Sequence, residues 1–210
     1  MTEGSEQIIS IIDYGVSNLG SIRNMLHKLG LRSELVATPE AVAGARKIIL
    51  PGVGAFDHGV AALAGRRLIA PLRAKALEDR IPILGICLGM QLLGMGSEEG
   101  TSGGLGLIKG ACVRFRFAEG SPLKVPHMGW NETAPKRLNP LLSGLGAGAR
   151  FYFTHSYHLM CEDPADVLAT ATHGIEFTAM VQRDNVAGVQ FHPEKSHRFG
   201  MTLLRNFGAI

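Results

Sequence analysis

Strand-like and helix-like stretches alternate through about the first ninety residues, and this alternation restricts the fold more than any other property of the chain. IISII (8–12) is a continuous apolar run of strand length, the pattern of a strand buried on both faces. From Asn18 onwards apolar residues fall at Leu19, Ile22, Leu26 and Leu29, the 3.6-residue period of a helix, and Gly30 stops it. A second strand is expected around Glu34 to Ala37, followed by a short helix that opens at Pro39 with Thr38 as its cap. KIIL (47–50) is a third buried strand ending at Pro51-Gly52, helical stretches fill Asp57 to Glu78, and IPILGI (81–86) is a fourth strand. Strands that alternate with helices need crossover connections, which implies a parallel sheet wrapped by helices.

Beyond residue 110 the pattern changes. ACVRFRF (111–117) alternates with period two, strand-like runs recur at 151–157, 166–172, 176–182 and 186–191, and a last helix is expected over about Ser196 to Phe207. This half reads as a meander of more antiparallel type. The expected architecture is one α/β domain over residues 1–210, with a mixed, mostly parallel central sheet and helices on both faces. No internal repeat, low-complexity stretch or long linker divides it.

Composition narrows the function. Apolar residues at 46% and charged residues at 19% supply a core and exclude disorder. The 27 glycines are about double the usual share of ~7% and belong in tight turns and close backbone approaches. A net charge of +3, spread along the chain, implies neither a nucleic-acid nor an anionic-membrane surface, so small ligands are expected. Cys87, Cys112 and Cys161 form an odd set with no CxxC pair, which fits the reducing cytoplasm better than a disulfide framework. MTEGSEQ at the start has no cationic region, and no run of about 18 apolar residues occurs, so neither secretion nor membrane spanning is expected.

The sharpest local feature is GICLGMQ (85–91), where Cys87 stands between two glycines directly after a buried strand and before a helix. A strained strand-to-helix turn of this kind pushes one side chain out above the sheet edge, and the following helix N-terminus favours a thiolate. A nucleophilic cysteine needs a base. FHPE (191–194) offers His192 at the end of a strand, with Glu194 two positions on to hold the ring in the right tautomer. PGVGAF (51–56), at the end of the third strand, can aim a backbone N–H at a developing oxyanion, and the Leu88 N–H, next after Cys87, supplies a second donor. Each motif alone has a plainer explanation, as a core cysteine, a loop histidine or a strand-exit turn. Together they lie at the same carboxyl edge of the sheet.

These segments resemble the class I, triad-type glutamine amidotransferases. The likeness runs through IIDYGVSNLGSIRNML (11–26), LPGVGAFDHGV (50–60), GICLGMQLL (85–93), KVPHMGWN (124–131), FYFTHSYH (151–158) and GVQFHPEKS (188–196). DYGVSNL, PGVGAF and VPHMGWN resemble, within that family, the glutaminase subunits of imidazole glycerol phosphate synthase. The resemblance implies a flavodoxin-like fold, with Cys87 as nucleophile, His192 as base, Glu194 as its orienting carboxylate, and Val53 and Leu88 as oxyanion donors. It further implies that L-glutamine is held by Gly52, Gln91, Glu98 and the backbone of His155, Ser156 and Tyr157, with Glu98 or its neighbour Glu99 reaching the amino group. No cofactor and no metal are implied. The implied partner is a (β/α)8 cyclase subunit, forming a heterodimer that uses the released ammonia in histidine biosynthesis. Rival readings are the glutaminase of another amidotransferase, a free-standing γ-glutamyl hydrolase, and a non-catalytic module of the same fold.

Other features are discounted. His155 and His158, three apart on a strand, would face opposite ways and make a poor metal pair. The Gly-rich stretch 100–106 lacks the strand before and helix after that a dinucleotide site needs. RFRF (114–117) is expected to be a half-wet strand, and Trp130 either packs in the core or anchors a partner.

Overall fold

The computed structural model describes residues 8–210, so the polar tail read at 1–7 lies outside the described residues. The first half alternates as expected: β1 (Ile9–Ile12), α1 (Leu19–Lys28), β2 (Ser33–Val36), α2 (Pro39–Gly44), β3 (Ile48–Gly52), α3 (Phe56–Gly65), α4 (Ile69–Leu77), β4 (Ile83–Cys87) and α5 (Leu88–Leu92). Thr38 does cap α2, its hydroxyl accepting the Ala41 N–H at 3.3 Å. The second half comprises β5 (Gly96–Ser97), β6 (Gly110–Arg114), β7 (His127–Glu132), β8 (Ala134–Pro135), β9 (Arg150–His155), β10 (Tyr157–Cys161), β11 (Val167–His173), β12 (Ile175–Arg183), β13 (Val186–Val189) and α6 (His197–Ala209).

The central sheet has eight strands in the order β2-β1-β3-β4-β13-β12-β11-β8. Its first five strands are mutually parallel, in the order typical of flavodoxin-like sheets, and β12, β11 and β8 continue it antiparallel. Alternate residues of the buried strands feed two cores. Ile9, Ile11, Ile49, Leu84 and Ile86 pack with Ile22 and Leu26 of α1 and with Leu203, Leu204 and Phe207 of α6. Ile12, Ile48, Leu50 and Ile83 pack on the other side with Val42 of α2, Leu63 of α3, Leu72 of α4 and Leu92 of α5. Both faces being covered explains why these strands are continuous apolar runs rather than alternating ones. None of the described helices is long and apolar enough to cross a membrane.

The second half is not one meander. The run at 151–157 divides at Ser156: β9 pairs with β7 in a two-stranded ribbon, whereas β10 pairs with β6, which also pairs with β5. The period-two pattern of that run suits either partner, so only the pairing reveals the break. RFRF is likewise not a strand throughout, because β6 ends at Arg114 and Phe115 turns into the core at 2% exposure.

Lys47, which the sequence places at the start of a buried strand, is itself buried, and burial lowers its pKa. Its Nζ donates to the carbonyls of Phe207 (3.1 Å), Gly208 (2.8 Å) and Ile210 (3.1 Å), closing the C-terminal end of α6, where carbonyls lack intrahelical donors. Lys47→Met is expected to leave these acceptors unpaired, costing about 2 kcal/mol. A thermal melt should then fall by roughly 4–8 °C, and an unchanged melting temperature would show that water caps the helix equally well.

Candidate active site

Cys87 ends β4 and precedes α5 with φ 54° and ψ −112°, a left-handed conformation that a non-glycine residue holds at a cost of about 1–3 kcal/mol. The strain lies on the cysteine itself. The flanking glycines serve a different need: a Cβ on Gly85 would stand 2.7 Å from the Gly89 carbonyl oxygen, and one on Gly89 would run into the Leu50 carbonyl. Their absence of side chain lets α5 lie directly on β3 and β4.

Register then brings the other groups alongside. Gly52 is paired with Cys87 and Pro51 with Ile86, and Ile86 is paired with Val189 on its other side. The PGVG loop and the segment from Gln190 to Glu194 therefore leave the sheet at the same edge as the cysteine. His192 Nδ1 lies 2.7 Å from Glu194 Oε1, with both side chains almost wholly buried. A carboxylate can only accept in this bond, so Nδ1 carries hydrogen. Nε2 is buried without a hydrogen-bond partner. Burial opposes charging of the ring, but Cys87 and Glu194 beside it outweigh that, and the pKa is raised to about 10. The loop is held from behind: the Ser196 hydroxyl donates to the His192 carbonyl (2.6 Å) and accepts the Tyr152 N–H (3.0 Å).

Cys87 and His192 open onto one cleft of about 420 Å³, whose walls include Val53, Leu88, Gln91 and residues 154–157. His155, Ser156 and Tyr157 thus line it, as does Lys195. Gly52 lies behind the wall, where any Cβ would meet the Tyr14 hydroxyl and the Gly89 amide. The two adjacent glutamates part company. Glu98 turns to the Arg114 N–H (2.8 Å) and to Arg116 (2.9 Å), and these hold its carboxyl below the usual range. Glu99 lines the cleft and accepts the Phe56 N–H at 2.8 Å. Of the pair, then, Glu99 faces the cavity and Glu98 does not. Val53 also needs comment, because its N–H donates to the Val16 carbonyl at 2.9 Å and is not presented to the cleft.

Sequence reasoning missed two neighbours of the cysteine. Gln190, fully buried, has its Nε2 3.9 Å from Cys87 Sγ and its Oε1 accepting from Gln91 Nε2 at 3.0 Å. A polar residue inside the apolar run GVQF was the available signal. Tyr14 donates to the Pro51 carbonyl at 2.7 Å; burial, then the charge of Cys87, raises its hydroxyl pKa above the usual value. His155 and His158 are also corrected: the break at Ser156 puts them on different strands, and both rings approach Phe115, at 5.3 and 4.7 Å. Trp130 is not a core residue. It is 46% exposed, stacked on His197 with ring centroids 5.4 Å apart, near an exposed Met128.

Residues 10–209 match the family described as glutamine amidotransferase class-I. The chain is 48% identical over 200 residues to imidazole glycerol phosphate synthase subunit HisH 2 of Pseudomonas aeruginosa, covering 95% of this chain and 98% of that protein. Against subunit HisH of Bdellovibrio bacteriovorus it is 46% identical over 204 residues, covering 97% and 100%. Among solved structures, PurLQS from Thermotoga maritima superposes with a TM-score of 0.73 over 96% of this chain and 97% of that one at 20% identity, a likeness of fold.

Proposed function

The chain belongs to the class I glutamine amidotransferases, and on that footing we propose that it is the glutaminase subunit of imidazole glycerol phosphate synthase, hydrolysing L-glutamine to glutamate and ammonia. One observation carries the chemistry: a cysteine in a strained elbow opens onto the same cleft as a histidine hydrogen-bonded to a buried glutamate. Cys87 is the nucleophile. His192, charged at neutral pH, already holds the proton that Cys87 gives up; Sγ attacks the side-chain amide carbon, and His192 delivers that proton to the nitrogen as the C–N bond breaks, leaving a γ-glutamyl thioester and ammonia. His192, now neutral, takes a proton from water, hydroxide adds to the thioester carbonyl, and the C–S bond breaks, releasing glutamate and leaving Cys87 as thiolate beside the recharged ring. Glu194 holds the ring and stabilises its charged form.

Leu88, at the first position of α5, offers its N–H to the oxyanion, and Val53 offers a second once it leaves Val16. Gln91, Glu99 and the backbone of 155–157 bind glutamine, with Glu99 rather than Glu98 on its ammonium group, because only Glu99 lines the cleft. Gly52 acts by letting the loop pack against Tyr14 and α5. The relatives are named as subunits of a synthase, which supports a heterodimer; its other subunit would be the (β/α)8 cyclase that receives the ammonia, and the exposed Met128 and Trp130 suit such an interface. Residues 1–210 work as one domain in the cytoplasm, where the three free thiols remain reduced. The direct test is glutamate release with and without the cyclase. No turnover in either case would refute the reading.

Glu194→Gln is expected to slow the single-turnover acylation step, by about one to two orders of magnitude less than loss of Cys87 or His192 does. It also removes part of the cause that raises His192. A raised histidine contributes stability that is fully present below its unfolded pKa of about 6.5 and is lost as pH climbs through about 10. The gap in melting temperature between Glu194→Gln and the parent should therefore narrow from pH 6.5 to 10. A gap that widens would show that the pair does not favour the charged ring.

A further inference from the structure

Beside the cleft, a line of polar side chains, buried at His127 and His155, connects β7 to the Tyr157 carbonyl. His155 Nδ1 lies 2.8 Å from Tyr157 O, His155 Nε2 lies 3.0 Å from His127 Nδ1, and His127 Nε2 lies 3.2 Å from Asn131 Nδ2. Asn131 Nδ2 also donates to the Thr172 carbonyl at 2.7 Å, and its Oδ1 accepts the Glu132 N–H at 2.8 Å, which fixes the amide's orientation.

Carbonyl oxygens close both ends of this line, and a carbonyl only accepts. His155 must therefore carry hydrogen on Nδ1, so its Nε2 is bare and accepts from His127. His127 in turn carries hydrogen on Nδ1 and accepts from Asn131. Every donor is matched to an acceptor in one arrangement only, with both rings neutral. A second proton on either ring would set N–H against N–H. The surroundings favour neutrality: burial, then the neighbouring His173, lowers the His127 pKa to about 4, and burial lowers His155 to about 3. The other groups packed against the line are His173, stacked on His127 at 4.3 Å, His158, and the Phe115, Phe153 and Phe177 rings; Glu98 acts on His158.

The Tyr157 carbonyl receives a second bond from Gln91 Nε2 at 3.0 Å. With both lone pairs occupied, the 155–157 wall and the Gln91 side chain are held in one relative position. We propose that His127, which does not line the cleft, is a positioning residue for the glutamine pocket, acting through His155 to hold the Tyr157 peptide and Gln91 in place. This rests on the reading that the wall binds glutamine.

The two layers are tested separately. Imidazole nitrogen NMR of the uniformly 15N-labelled chain at pH 7 should give His127 and His155 as neutral rings with hydrogen on Nδ1. Hydrogen on Nε2 of either ring, or a charged ring, overturns the proposal whatever the enzyme does. Steady-state glutamine hydrolysis by the chain assembled with its cyclase then reads the coupling. His127→Phe keeps an aromatic ring and removes the donor, and should raise KM for glutamine about tenfold with kcat within about twofold. His127→Asn, which restores an N–H where Nδ1 stood, should bring KM most of the way back. Unchanged KM in His127→Phe, or no recovery with Asn, overturns the positioning role. Absence of glutaminase activity in the parent chain would instead refute the amidotransferase reading, leaving the NMR result as the measure of the chain itself.

Discussion

Cys87→Ala is expected to abolish glutamine hydrolysis, by at least about a thousandfold, while the fold and the affinity for the cyclase stay intact. The thiolate is the only nucleophile in the proposed mechanism, and Gln190, whose amide Nε2 lies 3.9 Å from Sγ, is a donor with no nucleophilic lone pair to replace it. Removing one small side chain leaves little cavity. The change does not relieve the φ of 54°, which alanine tolerates no better than cysteine, so the elbow is expected to persist. Supplied directly with ammonia, the assembled complex should still form the cyclase product, since that step does not use Cys87. Glutamine turnover near the parent rate would refute the nucleophile assignment, and loss of the ammonia-dependent reaction as well would indicate a structural rather than a chemical defect.

The second large effect concerns coupling. The isolated chain should hydrolyse glutamine slowly, and a cyclase carrying its own ligand should accelerate it by about 10²–10³, the effect of one oxyanion donor. The structure contains the physical basis. Val53 N–H is bound to the Val16 carbonyl at 2.9 Å, so one of the two proposed donors is occupied by the chain itself. Turning that peptide breaks one backbone hydrogen bond, and Gly54, at φ +98°, and the side-chain-free Gly52 lie on either side of it. Partner contact with the exposed Val53 or with the adjoining 14–18 segment can shift the balance towards the free N–H. Glutaminase rates for the chain alone, with cyclase, and with cyclase plus ligand decide the matter. Equal rates in all three would remove the coupling and return a free-standing hydrolase to contention.

The sequence alone determined the layered architecture and where the candidate site lies, because both are written locally. KIIL, closed by Pro-Gly, has the length and pattern of a strand buried on both faces, Ile22 and Leu26 fall at helical spacing, and Cys87 ends β4 while His192 lies three residues beyond β13, so the parallel pairing of those strands suffices to bring them together. Tertiary structure decided what depends on direction and partner. Glu98 and Glu99 are neighbours on one loop, and only the placement of Arg114 and of the α3 N-terminus separates them, sending one outward and the other to the cleft. The run at 151–157 alternates without interruption, yet it divides at Ser156 because β7 and β6, distant in sequence, compete for its two halves. Gln190 next to Cys87, the engaged Val53 N–H and the His127–His155 link that joins the line from Asn131 to Tyr157 are contacts between residues far apart in the chain. Spacing along a sequence encodes which face of its own element a residue occupies, and carries no record of what the fold sets opposite that face.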